Sequence, residues 1–539
     1  MSMNAQEQSE QSATAGRREF AGLAVLAVAA LLLSLDLSVL YLALPHLSRD
    51  LGANSIEQLW ILDIYGFMTA GFLITMGSLG DRIGRRRLLL IGAAVFGIAS
   101  IVAALSVNVW MLLGARALMG IAGATVMPCG LGLITYMFKN PAQRGMAIAS
   151  WMSCFMGGLL IGPVIGGILL RFFWWGSVFL LAVPVMVLLL IAGPAVLPEF
   201  RNPHAGPLDL TSVALSLAGV LPVIFGLKEL ARNGWAAIPV LAIVVGLAFA
   251  AAFVLRQRKL RDPLLDTGLF RNRVFTAAII FGVLGGAVQG GSSLLVTLYL
   301  QMVKGLSTLA TGLWLVPATL ALVVGLMLGP ILAQRIRPAY VLAIGMAVAT
   351  IGYVVLSQVT SGTGVGGVIV GFGIVLFGVG IPLGLVTGLA VGSVANEKVG
   401  SASGVMQTGS EFGVAFGIAG LGSVATAVYR GQLTDTVPSG LPPDVVSAAT
   451  ASIEGAITVA QSLPAAAGTA LLNAAKDAFT AGLNTVAVVG AVVLVGLAVM
   501  SVAMLRQIDP VPAPPKAARK KRSAATVDSE SKQGAGRNL

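Results

Sequence analysis

The stretch Gly77-Ser-Leu-Gly80-Asp81-Arg82-Ile-Gly84-Arg85-Arg86-Arg87 interrupts two long apolar runs. Its glycines permit a tight turn, Asp81 can cap a helix end or pair with an arginine, and the arginines anchor the stretch at one membrane face. The runs on either side, 57–78 and 88–106, are each long enough to cross a hydrocarbon core, which takes about 20 helical residues. Outward from them the same test finds spans at 20–44, 109–135, 146–170, 176–197, 210–230, 236–255, 274–300, 310–333, 339–358, 364–391, 401–427 and 479–505. The expected fold is an all-α polytopic membrane protein with fourteen transmembrane helices.

Composition leaves little else. Of 539 residues 57% are hydrophobic and only 10% charged, against roughly 25% charged in an ordinary soluble protein. Such a chain cannot clad soluble cores of this length, and it is far too apolar for disorder. The net charge of +12 is explained by side. An even number of spans puts both termini on one face. With that face taken as cytoplasmic, 26 of the 34 Lys and Arg lie inside and seven outside, with Arg116 within a span. This is the positive-inside pattern and calls for no nucleic acid. The first span is too long for a signal peptide and contains Asp36, so it reads as retained. Cys129 and Cys154 read as buried, reduced thiols. No metal-ligand spacing, phosphate loop or hydrolase arrangement is present, so neither an enzyme nor a cofactor is expected.

The chain also repeats itself. Leu79-Gly-Asp-Arg-Ile-Gly-Arg85 matches Leu332-Ala-Gln-Arg-Ile-Arg-Pro338, and Gly158/Gly162 match Gly413/Gly417, at nearly the same offset. The expected organisation is a tail (1–19), a first six-helix bundle (20–200), two inserted helices (201–260), a second six-helix bundle (261–506) and a tail (507–539). The second bundle carries an outer loop, 428–478, with short amphipathic helices near Val445–Gln461 and Ala466–Ala478. Parallel six-helix repeats with a site between them are a transporter design.

The stretch 77–87 resembles the signature between the second and third helices of the major facilitator superfamily. The copy after span ten is degenerate, with Gln334 in place of Asp81. The motif comprises Gly77, Asp81, Arg82, Gly84, Arg85 and Arg86, and the resemblance implies a latch between the halves carried by Asp81 and Arg85. Span five carries Gly157-Gly158-Leu-Leu-Ile-Gly162-Pro163-Val-Ile-Gly166-Gly167. Read by itself it is a close-packing ridge with a permitted bend. It also resembles the antiporter motif of drug-exporting members, which implies export. Arg116, in Leu112-Leu-Gly-Ala-Arg116-Ala-Leu-Met-Gly120, is costly in lipid and must face the interior. It resembles a family arginine implicated in proton transfer, and also admits a purely structural reading.

Three acids lie within spans: Asp36, Asp63 and Glu411. Each should face a cavity or a partner. A carboxylate that holds either a proton or a cation, but not readily both, couples the two. All three match acids of the fourteen-helix drug:proton antiporters, the quaternary-ammonium exporter group. With Arg116 they form the expected proton-coupling set. Asp36 can alternatively be structural, and Asp63 a cap near the surface. Trp60, Tyr65, Met152, Met156, Trp314, Met406, Gln407 and Phe412, together with Asp36, are the candidate substrate contacts, because aromatic and Met side chains suit lipophilic cations. Each of these also fits ordinary packing.

The expectation is a proton-coupled multidrug antiporter of a bacterial cytoplasmic membrane, monomeric, with both termini cytoplasmic. Its partners would be protons, the bilayer and lipophilic, cationic small molecules. Two alternatives stay open: an exporter of an endogenous lipid or secondary metabolite, and a non-transporting sensor or assembly factor on the same fold.

Overall fold

The computed structural model describes residues 15–53, 55–201, 208–233, 236–260, 263–395, 398–437 and 441–510. The extreme N-terminus and the basic tail from 511 lie outside them. Among the described residues the secondary structure is helical, with no strand. The helices are α1 (Arg17–Leu51), α2 (Ser55–Ile83), α3 (Arg85–Ala104), α4 (Val109–Gly123), α5 (Val126–Met137), α6 (Pro141–Phe172), α7 (Ser177–Leu180), α8 (Ala182–Val196), α9 (Leu210–Asn233), α10 (Ala237–Gln257), α11 (Arg273–Leu298), α12 (Thr308–Leu332), α13 (Pro338–Leu356), α14 (Val365–Gly392), α15 (Val399–Thr436), α16 (Pro443–Ala451), α17 (Ile453–Ala460) and α18 (Ala465–Leu505). The pairs α4/α5 and α7/α8 each form one span. Thirteen spans pass a length-and-hydropathy test outright, and α6, bent by 44° between Pro141–Leu159 and Val164–Phe172, makes a fourteenth.

Two hydrophobic cores organise these helices. One runs from Leu23 to Leu197 and is centred on Trp151, Phe96, Phe138 and Phe179. The other runs from Phe253 to Leu505 around Phe275, Tyr299 and Tyr353. The same packing theme recurs in both. In the first half the face of α6 bearing Gly158, Gly162 and Gly166 lies against Ser34, Ser38 and Val39 of α1. In the second, Gly413 and Gly417 of α15 lie against Val283 and Ala287 of α11. Added Cβ atoms would collide with the facing helix, so small residues set the helix–helix distance.

The inserted pair α9/α10 is joined by its own glycines: Gly219 faces Ala250, and Gly226 faces Pro239 and Ile243. Polar bonds tie its base. Arg256 donates to both carboxylate oxygens of Asp209 at 2.8 and 3.1 Å. Gln257 donates to the Ser212 hydroxyl at 2.7 Å and accepts from the Leu264 amide at 2.7 Å. The outward face of α10, including Leu241, Val244 and Leu247, is exposed and apolar, as a lipid-facing surface must be. In contrast, α9 packs against both α2 and α15, one helix from each half.

The outer loop differs from its sequence reading. The helix expected near Val445–Gln461 is split at Ser452, whose hydroxyl caps α17 by accepting the Gly455 amide at 3.0 Å. The one expected at Ala466–Ala478 is continuous with the last span, α18. At 1.5 Å per residue the 38 residues of α15 and 41 of α18 extend about 57 and 62 Å, beyond the ~30 Å hydrocarbon core. Their overhangs and α16/α17 form a packed cap, in which Leu433, Ala449, Ile453, Ala456 and Leu471 are buried and the Tyr429 hydroxyl donates to the Ala449 carbonyl at 2.8 Å.

Candidate functional site: a latch and two ion pairs

The basic stretch joins the two halves. Gly84 has φ +111°, a backbone region that favours glycine, and it turns α2 into α3. The turn places Arg85 so that its Nε and Nη2 donate to Asp81 Oδ1 at 2.9 and 2.8 Å, while Nη1 donates to the Gly132 carbonyl at 3.1 Å. The Phe200 ring covers the guanidinium at 4.9 Å. Asp81 then reaches the other half: its oxygens accept the Gly400 and Ser401 amides, at 3.2 and 3.0 Å, at the start of α15. A carboxylate at a helix N-terminus satisfies unpaired amides and complements the helix dipole. Gly77 lies so close to the Gly400 carbonyl that any side chain there would clash. Arg86 pairs with Glu199 at 3.3 Å and donates to the Leu197 carbonyl at 3.1 Å. Arg82 is half-buried beside them.

A second junction lies at the same end of the molecule. Gly145 of α6 packs on Pro330 of α12, and the Ser150 hydroxyl approaches the Met327 sulfur at 4.0 Å. Further along α6, a side chain at Gly157 would meet nothing within 4 Å among the described residues. The halves thus meet at the basic end through both junctions. Gly167 likewise faces open space, unlike Gly158, Gly162 and Gly166. The side chain of Pro163 lies outside the described residues.

Asp36 and Arg116 form a sealed ion pair. Arg116 Nη1 donates to Asp36 Oδ2 at 2.6 Å, with the side chains 0% and 4% exposed. The Tyr65 ring lies over the guanidinium at 4.7 Å. Nε and Nη2 of Arg116 donate no hydrogen bond within the described residues. Tyr65 is itself buried, and its edge meets Phe96.

Glu411 is in a different setting. It lies eleven residues along α15 from Gly400, about 16 Å from the latch, which is near mid-depth. It is exposed, and it accepts a hydrogen bond from the Gln407 side-chain amide at 3.2 Å. A second ion pair is made by Lys228. That lysine belongs to α9, and its Nζ donates to Asp63 Oδ1 at 2.8 Å while lying 4.8 Å over the Phe67 ring. Trp60 tilts against Phe67 at 5.8 Å and stacks on Phe225 of α9 at 6.4 Å. Phe412 joins the same cluster, packed with Phe67, Ala70, Val220 and Ile224.

A sequence profile described as the Major Facilitator Superfamily matches residues 26–418. The chain belongs to that superfamily. It is a transporter rather than an enzyme. A multidrug efflux pump of Mycolicibacterium smegmatis, LfrA, is 40% identical over 91% of this chain and 97% of its own length. The methyl viologen resistance protein SmvA of Salmonella typhimurium is 30% identical over 86% of this chain and 93% of its own. The tetracenomycin C resistance and export protein of Streptomyces glaucescens is 30% identical, over 89% and 91%. The human organic anion transporter MFSD10 shares the fold, with a TM-score of 0.54 over 88% of this chain and 99% of its own at 14% identity.

In this facilitator Asp36, Arg116 and Tyr65 come together, as do Asp63, Trp60 and Phe412, and Gln407 joins Glu411. Met152 is half-buried and packs on both cores, whereas Met156 and Met406 pack on the second. Trp314 is exposed on α12. The sequence reading missed Lys228, which it counted among the seven outside residues. A signal was there, since Lys228 falls within the span drawn at 210–230.

Proposed function

We propose that this facilitator exports amphipathic organic cations in exchange for protons, as a monomer in a bacterial cytoplasmic membrane. The positive-inside count supports placing the basic end and both termini in the cytoplasm. The latch then closes the cytoplasmic side and the cleft opens outward. The observation that carries the reading is Glu411: a carboxylate near mid-depth, open to the cleft, hydrogen-bonded by the neutral Gln407 amide. Such a group accepts either a proton from outside or a cation from the cargo. Asp36 couples at one remove, because its protonation releases Arg116 from a buried pair and alters the charge facing Tyr65. Asp63 and Arg116 support the exchange. The relatives' drug-efflux names support the direction of transport.

The test is ethidium-driven proton release in everted vesicles. Glu411→Gln is expected to lower exchange at least tenfold, a loss of about 1.4 kcal/mol in transition-state stabilisation, and Asp36→Asn to uncouple it. Normal exchange in both variants would defeat the assignment. The tetracenomycin C relative favours a second reading, export of a secondary metabolite. Proton-coupled export of neutral compounds, indifferent to Glu411→Gln, would select it.

A further inference from the structure

The inserted helices are more than a spacer between the bundles. Through Lys228, α9 places an ammonium on a carboxylate and an aromatic face: Asp63 Oδ1 at 2.8 Å and the Phe67 ring at 4.8 Å. Carboxylate plus aromatic face is also the surface that recognises an organic cation. The aromatic surface continues past the lysine, since Trp60 follows Phe67 and is 38% exposed. Nor is the pair sealed, with the Lys228 and Asp63 side chains 32% and 15% exposed. A lysine on a four-carbon stem can leave such a position without unfolding its helix.

We propose that Lys228 is a tethered cation that competes with the cargo for a recognition site formed by Asp63, Phe67 and Trp60. The inference rests on the reading of the cargo as cationic. One carboxylate stabilises one cation well, and a second cation beside the first meets like-charge repulsion. In the outward-open molecule Lys228 holds the site. A departing cation therefore finds its carboxylate already neutralised and its aromatic face covered. The lysine weakens binding on the release side, and in doing so it speeds export.

The experiment is equilibrium binding of tetraphenylphosphonium to the full chain in lipid nanodiscs, with transport in vesicles alongside. Lys228→Met is expected to tighten binding roughly three- to tenfold, the worth of a partly exposed ion pair with a cation–π contact. It should slow cation export. Lys228→Arg should behave as the wild type. Asp63→Asn together with Lys228→Met should bind no tighter than Asp63→Asn alone, because the contested carboxylate is gone. Lys228→Gln serves the same measurement if Lys228→Met does not assemble. Unchanged or weaker binding in the uncharged variants, with cation export by the wild type intact, would overturn the inference alone. Absence of any organic-cation export by the wild type would overturn the functional reading and the inference with it.

Discussion

Asp36–Arg116 and Asp63–Lys228 have similar chemistry in opposite surroundings. Each pairs an acid from α1 or α2 with a base from another span, and each base faces an aromatic ring. The first is closed to solvent and the second is partly exposed. Burial decides what each can do. A sealed pair resists separation, because parting it strands a charge in low dielectric, and a proton on Asp36 is the gentlest way to release it. An open pair is worth little to the fold and exchanges partners readily.

The contrast is easiest to break at Arg116. Arg116→Ala leaves Asp36 buried without its counter-charge and is expected to cost about 3–5 kcal/mol, read as earlier thermal unfolding in detergent. Asp36→Asn should cost less, since the amide carries no charge to strand. If both unfold with the wild type, the pair is not sealed.

The latch should rank next. Asp81→Ala removes the acceptor for Arg85 and for the Gly400 and Ser401 amides, so the basic end should open. Export is expected to fall at least tenfold, about 1.4 kcal/mol in barrier terms. An impermeant maleimide applied from the side of the basic stretch should label Ser150→Cys faster in this background than in the latched protein, both lacking Cys129 and Cys154. Equal labelling would show that the α6–α12 junction closes that end unaided.

At the open pair, Asp63→Asn should shift unfolding by no more than about 1 kcal/mol while altering cation binding. A shift as large as that of Arg116→Ala would abolish the distinction between the two pairs.

The smallest effect belongs to Asp266 and Lys398, outside the membrane. The Lys398 hydrogen bond, aided by the Gly268 amide, holds the Asp266 carboxyl below its usual range. Its contribution is therefore complete above the unfolded value of about 4 and is lost as pH falls through the lower folded value. Lys398→Met should remove only a few tenths of about 1 kcal/mol at pH 7, and the difference from wild type should shrink in acid.

Hydropathy made the fold legible, because a helix in lipid must satisfy its backbone internally and therefore announces itself as a long apolar run. The fourteen spans follow from that, and the basic stretch 77–87 pointed to the latch. Its geometry was hidden, since Asp81 bonds to amides some 320 residues away and no local pattern encodes such a partner. Likewise, Asp36 and Arg116 each looked costly alone, while their pairing across 80 residues is a fact of packing. Lys228 escaped because a lysine near a span's end reads as reaching for water. Only the placement of α9 against α2 turns it inward. The loop 428–478 was half legible: its amphipathic stretches were visible, but nothing local showed that one of them continues into α18.

The position of α9 also removes a symmetry. Two lateral seams run between the halves, one along α2 and α15 and the other along α6 and α12. On the first, α9 packs against both neighbours. On the second, no inserted helix takes that place among the described residues. The inserted pair thus gives two otherwise equivalent flanks different surfaces.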